Sequence, residues 1–158
     1  MHFGASFPLL DSLLQRIDQE IVAIGGKRSR SRAQVIEIFF RTGTHVTVEE
    51  LTHAVRKRNR SVGSATVYRT VKLLARLDYA KELDFGDGLK RYESNLEAHH
   101  DHLVCQECGA VFEFKEPRIE TLQEQVAKQH GFSPTMHRLD IYGYCRKCAP
   151  GDKRDRDK

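Results

Sequence analysis

The sequence predicts an α+β chain of two modules: an N-terminal winged helix over residues 1–95 and a small α/β module over 96–150, closed by a four-cysteine zinc site, with a disordered tail over 151–158. Three observations predict it. Two short helical patterns joined by a Gly-containing turn precede a hairpin signal, the sequence form of a helix-turn-helix with a wing. All cysteines fall in two Cys-x-x-Cys pairs, Cys105/Cys108 and Cys145/Cys148. Positive charge gathers in one stretch: Lys27 to Arg76 holds twelve Lys and Arg against three acids, a balance of +9 in a chain whose net charge is +4.

Each element has a local cause. Leu9, Leu10, Leu13, Leu14, Ile17, Ile21 and Ile24 recur at helical spacing, predicting a helix from Pro8 to Ile24 that Gly25-Gly26 stops. A basic loop, Lys27 to Arg32, leads into a second helix carrying Val35, Ile36, Phe39 and Phe40. Thr47-Val-Glu-Glu50 is a capping box that opens a third helix through Arg58, with Leu51, Ala54 and Val55 inward. After Asn59 to Gly63, Ser64 caps a fourth helix through Leu77, with Val67, Val71, Leu74 and Leu77 on the apolar face. Thr66, Arg69, Thr70, Lys72 and Arg76 lie opposite, with Tyr68 at the edge. Ala80–Phe85 and Leu89–Ser94 read as strands about Gly86-Asp87-Gly88.

In the second module, His102–Val104 and Val111–Phe114 read as strands around the first cysteine knuckle. Pro117 suits the first turn of a helix with Ile119, Leu122 and Val126 as its core face, ending at Gly131. Arg138–Tyr144 alternates as a strand into the second knuckle.

At 39% apolar and 30% charged over 158 residues, the composition is that of a globular protein. No apolar run approaches the roughly 20 residues that span a bilayer, and the N-terminus has no secretory pattern, so the expected compartment is the cytoplasm and no membrane partner is expected. In a reducing compartment, paired cysteines point to zinc before disulfides. Four thiolates form the closed tetrahedral shell of structural zinc, and a redox dithiol or iron–sulfur cluster is the weaker reading. A helix intervening between the pairs must fold back to close the site.

His99-His100-Asp101-His102 stands just before the first cysteine. In an extended segment alternate side chains point to opposite faces, so His100 and His102 share one face while His99 and Asp101 share the other. Imidazole and carboxylate together suit an exchangeable Fe²⁺, Mn²⁺, Co²⁺ or Zn²⁺. The bland reading, a polar surface run, loses ground against the further ligands Glu93, Glu120, His130 and His137.

The basic fourth helix is suited to a DNA major groove, where Tyr68 and Arg69 would reach bases or phosphates and Ser64 and Thr66 would contact phosphate. The Lys27–Arg32 loop would add backbone or minor-groove contacts. Enzyme chemistry is not expected. HExxH, a phosphate-binding glycine loop and a nucleophile motif are all missing, and a metallohydrolase would leave the basic helix unexplained.

Gly63-Ser-Ala-Thr-Val-Tyr-Arg69, His99-His-Asp-His-Leu-Val-Cys-Gln-Glu-Cys-Gly109, His130-Gly-Phe and Tyr142-Gly-Tyr-Cys145 together resemble the ferric uptake regulator family over residues 20–148. The resemblance implies a homodimeric winged-helix repressor of metal-uptake genes, or a tetramer built from that dimer, in which the second module dimerises and the target is double-stranded DNA with an A/T-rich palindromic operator. It implies a regulatory metal on His45, Glu93, His100 and His102, fixing the DNA-competent shape. It also implies an additional site on His99, Asp101, Glu120 and His137, and structural Zn²⁺ on Cys105, Cys108, Cys145 and Cys148. On the DNA side it points to Tyr68 and Arg69, with Lys27 and Arg32 from the loop, although Ser31 replaces the proline that often precedes that arginine. Glutamate at positions 93 and 120, where peroxide sensors of the family tend to have aspartate, favours Fe²⁺ as the regulatory metal, with Mn²⁺, Co²⁺ or Zn²⁺ as substitutes. Zinc sensors of the family bring a cysteine to that site, and this chain has none to spare. Peroxide-sensing, zinc-sensing or manganese-sensing members, and a zinc-stapled DNA-binding protein without sensing, are the alternatives.

Overall fold

A computed structural model of the chain describes residues 7–42, 45–96 and 99–149; the tail predicted from Gly151 lies outside them. Two compact units form, residues 1–97 and 98–158. The first begins with α1 (Phe7–Ala23), which ends one residue short of the predicted Ile24, just before the Gly25-Gly26 stop. Gly25 takes φ +85°, and the Gly26 amide donates to the Ile21 carbonyl at 2.8 Å. A Cβ on Gly26 would sit 2.7 Å from that carbonyl oxygen, so the chain turns away only with glycine there.

The second helix starts earlier than predicted. α2 spans Arg30–Thr42 because Ser29 caps it, its hydroxyl accepting from the Arg32 amide at 3.3 Å and its carbonyl from the Ala33 amide at 2.9 Å. Arg32 is therefore a first-turn residue of a helix and not part of a loop.

A two-residue strand that the sequence reading lacked, β1 (Val46–Thr47), precedes α3 (Val48–Arg56). The predicted capping box is present, with Glu50 N donating to Thr47 Oγ1 at 3.1 Å and Thr47 N to Glu50 Oε2 at 2.8 Å. α4 (Ser64–Arg76) is capped by Gly63 in extended conformation without a side-chain bond. Ser64 is thus the first helical residue and not the cap. α4 closes on Asp78 at φ +62°, a conformation Asp tolerates better than most residues, and Asn95 Nδ2 donates to both the Asp78 carbonyl (2.9 Å) and carboxylate (2.7 Å). β2 (Ala80–Asp84) and β3 (Lys90–Ser94) form the wing, and the antiparallel sheet order is β1-β3-β2 with Val46 opposite Tyr92.

The core of this unit is continuous. Ile17 and Ile21 of α1, Val35 and Phe39 of α2, Leu51 and Val55 of α3, Val67, Val71 and Leu74 of α4, and Tyr92 of β3 form one buried cluster. The seven-residue apolar pattern of α1 is only partly inside, since Leu9 and Ile24 remain exposed.

The second unit is built differently. β4 (Asp101–Cys105) pairs antiparallel with β5 (Val111–Phe114) and parallel with β6 (Asp140–Gly143), giving the order β5-β4-β6. α5 (Pro117–Gln129) has Pro117 in its first turn as predicted, preceded by Glu116, whose carboxylate accepts from the Arg118 amide. Among the described residues the expected core face of α5 is only partly covered, with Ile119 half-buried. No residue of α5 is buried, and Leu122 and Val126 are 60% and 47% exposed. No helix among the described residues is long and apolar enough to cross a membrane.

Candidate metal centres and nucleic-acid interface

The cysteine knuckles are shaped by their own backbone. Gly109 takes φ +69° and donates its amide to the Cys105 carbonyl at 2.9 Å; in the second knuckle the Cys148 and Ala149 amides both donate to the Cys145 carbonyl at 2.9 Å. Parallel pairing sets Cys105 opposite Gly143, which brings the pairs together across 36 intervening residues.

All four Sγ atoms lie within 4.8 Å of one another, and Cys108 Sγ is 3.8 Å from Cys145 Sγ. A disulfide needs about 2.05 Å. Zinc–sulfur bonds of about 2.3 Å in a tetrahedron set sulfurs about 3.8 Å apart, so the cluster fits zinc. The Cys105 thiol is lowered to about 6, mainly because the Cys108 backbone N–H, with that of Cys145, points at its sulfur. Cys148 is pushed up to about 12, first by its hydrogen bond with Cys145 and then by Cys108. Sulfurs crowded in this way share negative charge that a divalent cation would neutralise.

The second cluster in this unit is His99, Asp101, Glu120 and His137, whose candidate ligand atoms also lie within 4.8 Å. Asp101 is 1% exposed, yet neither carboxylate oxygen has a hydrogen-bond partner. A buried carboxylate without partners is costly unless a cation meets it. His99 Nε2 is 3.4 Å from Asp101 Oδ1, and His137 Nε2 is 3.0 Å from Glu120 Oε2 without forming a hydrogen bond. Close approach without hydrogen bonding is what ligands of one ion show, so the residues fit a metal.

The alternation argued from the sequence holds, for His100 and His102 lie together away from this cluster, with ring centroids 5.0 Å apart. Both are buried. Glu113, which the sequence reading missed, is drawn to them: it is the Cα partner of His102 across β4–β5, with Oε1 4.0 Å from His100 Nε2. Only strand register could have revealed it, because nothing in its local sequence marks Glu113 as a neighbour of the histidines.

In the first unit His45 and Glu93 form a pair, Nε2 to Oε2 2.8 Å, with side chains 5% and 6% exposed. The unpredicted β1–β3 pairing makes that pair, since Val46 lies opposite Tyr92 and so sets the preceding His45 beside Glu93.

On the prospective DNA face, Tyr68 is 51% exposed and Arg69 and Ser64 are exposed, while Thr66 is half-buried. Thr70, expected on this face, is buried with its hydroxyl donating to the Thr66 carbonyl at 2.7 Å. Lys72 also belongs elsewhere: its ammonium is 2.7 Å from Glu82 of the wing, which lowers the Glu82 carboxyl below the usual range. Lys27 is exposed, and its carbonyl accepts from Arg32 Nη1 at 2.8 Å, so the two basic residues are tied together across the start of α2.

Comparison with known proteins follows this geometry. The model of the ferric uptake regulator family matches residues 23–142. The ferric uptake regulation protein of Helicobacter pylori strain J99 is 32% identical over 143 residues, covering 90% of this chain and 95% of that one. The solved ferric uptake regulator of Helicobacter pylori, described as having three functional metal-binding sites, superposes with a TM-score of 0.84 at 31% identity over 90% of this chain and 95% of that one. A zinc-bound manganese uptake regulator superposes with a TM-score of 0.68 at 39% identity, covering 84% and 98%.

Proposed function

We propose, from the premise that this chain belongs to the ferric uptake regulator family, that Fe²⁺ is the metal to which it responds and that His45, Glu93, His100 and His102 receive it. The chain is a metal-responsive transcriptional regulator of that family, whose members bind DNA and act as dimers. The finer reading is a cytoplasmic homodimeric repressor of metal-uptake genes on an A/T-rich palindromic operator. Exposed Leu122 and Val126 on α5, and Phe112 on β5, support a homodimer interface on the second unit.

One observation carries the regulatory reading. A histidine–carboxylate pair, His45–Glu93, is buried inside the DNA-binding unit itself, where a purely structural cysteine site would require no ligands. Two further imidazoles, His100 and His102, with Glu113 beside them, are buried in the other unit. A single ion taking ligands from both units would shift the population toward the shape that meets two operator half-sites at once. All cysteines are already gathered in one cluster, which supports iron over zinc as the signal.

Structural Zn²⁺ belongs on Cys105, Cys108, Cys145 and Cys148. His99, Asp101, Glu120 and His137 hold an additional ion that supports the second unit. Tyr68 and Arg69 read DNA from α4, with Ser64, Thr66, Lys27 and Arg32 on phosphates.

Anaerobic operator titration with Fe²⁺, Mn²⁺ and Zn²⁺, with metal counted per protomer, tests the reading. Fe²⁺ should activate binding at the lowest free concentration, and His45→Ala and Glu93→Ala should lose that activation while keeping fold and zinc. Metal-independent binding, or unchanged activation in both variants, would remove the regulatory assignment. Arg69→Ala should weaken operator binding by about 1–3 kcal/mol without changing thermal stability.

A further inference from the structure

His102 and Asp140 are Cα partners across the parallel β4–β6 pair, and the His102 amide donates to the Leu139 carbonyl at 3.1 Å. Their side chains meet as well: Nδ1 of His102 is 3.0 Å from Oδ1 of Asp140, with the two side chains only 4% and 10% exposed. The other carboxylate oxygen of Asp140 meets Nη2 of Arg138. The strand carrying Asp140 is pinned at its far end, where the Gln106 amide donates to the Gly143 carbonyl at 2.8 Å and the Cys145 amide to Cys105 Sγ at 3.3 Å. The His102–Asp140 contact is therefore set by strand register beside the cysteine cluster, not by the chance placement of a surface side chain.

The chemistry of this contact has one sense. An ionised carboxylate only accepts hydrogen bonds. The proton of a neutral His102 must then be on Nδ1, which leaves the ring lone pair on Nε2. Of the other histidines assigned to the regulatory metal, His100 is nearest Glu113 through Nε2 and His45 meets Glu93 through Nε2. We propose that Asp140, held by Arg138, is a positioning residue that fixes His102 as the Nδ1–H tautomer and so commits Nε2 to the regulatory metal. The role rests on the reading of His102 as a ligand of that metal. A carboxylate donating electron density through the far nitrogen makes imidazole a stronger ligand and holds its ring in one orientation, and loss of such a partner weakens metal binding about 10- to 100-fold. Asp140 itself would touch no metal.

The test uses the full chain with its cysteine zinc retained. In ¹⁵N-histidine-labelled protein free of regulatory metal, at a pH where His102 is neutral, long-range ¹H–¹⁵N NMR should show His102 as Nδ1–H, the signal being assigned by its loss in His102→Ala. Co²⁺ is then titrated in a Glu120→Ala background, which removes the second histidine–carboxylate cluster. Asp140→Ala should lower Co²⁺ affinity about 10- to 100-fold and populate the Nε2–H tautomer, with zinc content and circular dichroism unchanged. Asp140→Asn, which keeps an acceptor oxygen but not the charge, should fall between the two, and it carries the test if the alanine variant does not fold. An Nε2–H His102 in the parent protein, or parent Co²⁺ affinity in Asp140→Ala, overturns the positioning role alone. Unchanged Co²⁺ affinity in His102→Ala overturns the regulatory assignment and this role with it.

Discussion

The two units solve the problem of staying folded in opposite ways. In the first, four helices and a small sheet enclose one core, in which Ile17, Val35, Val55, Val67, Val71 and Leu74 have no measurable exposure. In the second, Val104 and Cys105 are the buried apolar residues among the described ones, and the remaining buried side chains, His100, Asp101 and His102, are polar. Burying a large aliphatic side chain stabilises by about 1.5–3 kcal/mol, so the first unit has a source of stability that the second almost lacks. A structural zinc site contributes on the order of 10 kcal/mol to folding, and a partner subunit on the exposed α5 face would contribute more. The lesson is one of division: the first unit stands on hydrophobic packing, whereas the second, with its gathered cysteines, would be made stable by the zinc proposed for them. Dependence of the fold on zinc would therefore be concentrated in the second unit, away from the core of the first.

The sharpest way to break this contrast is to remove the zinc. Cys148→Ser, or strong chelation, should release zinc and abolish hydrogen-exchange protection in β4, β5 and β6 while α2, α3 and α4 stay protected. Retained protection in the sheet without zinc would show that the second unit has an organising core after all.

Next in size is paired truncation. Leu74→Ala should destabilise the first unit by about 2–5 kcal/mol, seen in its denaturant midpoint. Leu122→Ala, removing the same atoms from an exposed site, should leave the second unit's own stability unchanged and instead shift the monomer–dimer equilibrium in sedimentation. Equal losses of fold stability would erase the distinction.

The smallest effect is electrostatic and belongs to the first unit. Arg58, with Arg41, holds the Glu37 carboxyl below its ordinary 4.5. The pair therefore stabilises fully above pH 4.5 and its contribution is lost as pH falls through the lowered value. Because the arginines are largely solvated, the change should stay under about 1 kcal/mol. Glu37→Gln should flatten the stability profile on the acid side, and an unchanged profile would remove the pair as a contributor.

The comparison also explains where sequence reading succeeded. Helical periodicity, the Thr47–Glu50 box, Gly25-Gly26 and Pro117 act within a few residues, so they are legible without a structure, and they placed most of the first unit. What escaped was non-local or competed over short range. Ser29 outcompeted the expected loop as the cap of α2, and Gly63 took the cap position expected of Ser64. Thr70 turned inward to a carbonyl one turn back, and Lys72 was claimed by Glu82 of the wing. β1 is too short for any periodicity, and it exists because β3 is there to pair with it.

By itself, the sequence determined the chemistry available. It set the two cysteine pairs, the two-faced alternation of His99 to His102 and the basic fourth helix, because residue type and spacing along a strand or helix are local properties. Only the tertiary structure decided which groups meet. The parallel β4–β6 register closes the cysteine cluster and sets Asp140 against His102, the β4–β5 register brings Glu113 to the histidine pair, and β1–β3 pairing joins His45 to Glu93. Register depends on contacts between residues up to 46 positions apart, where no local pattern reaches, and a ligand set is a statement about register.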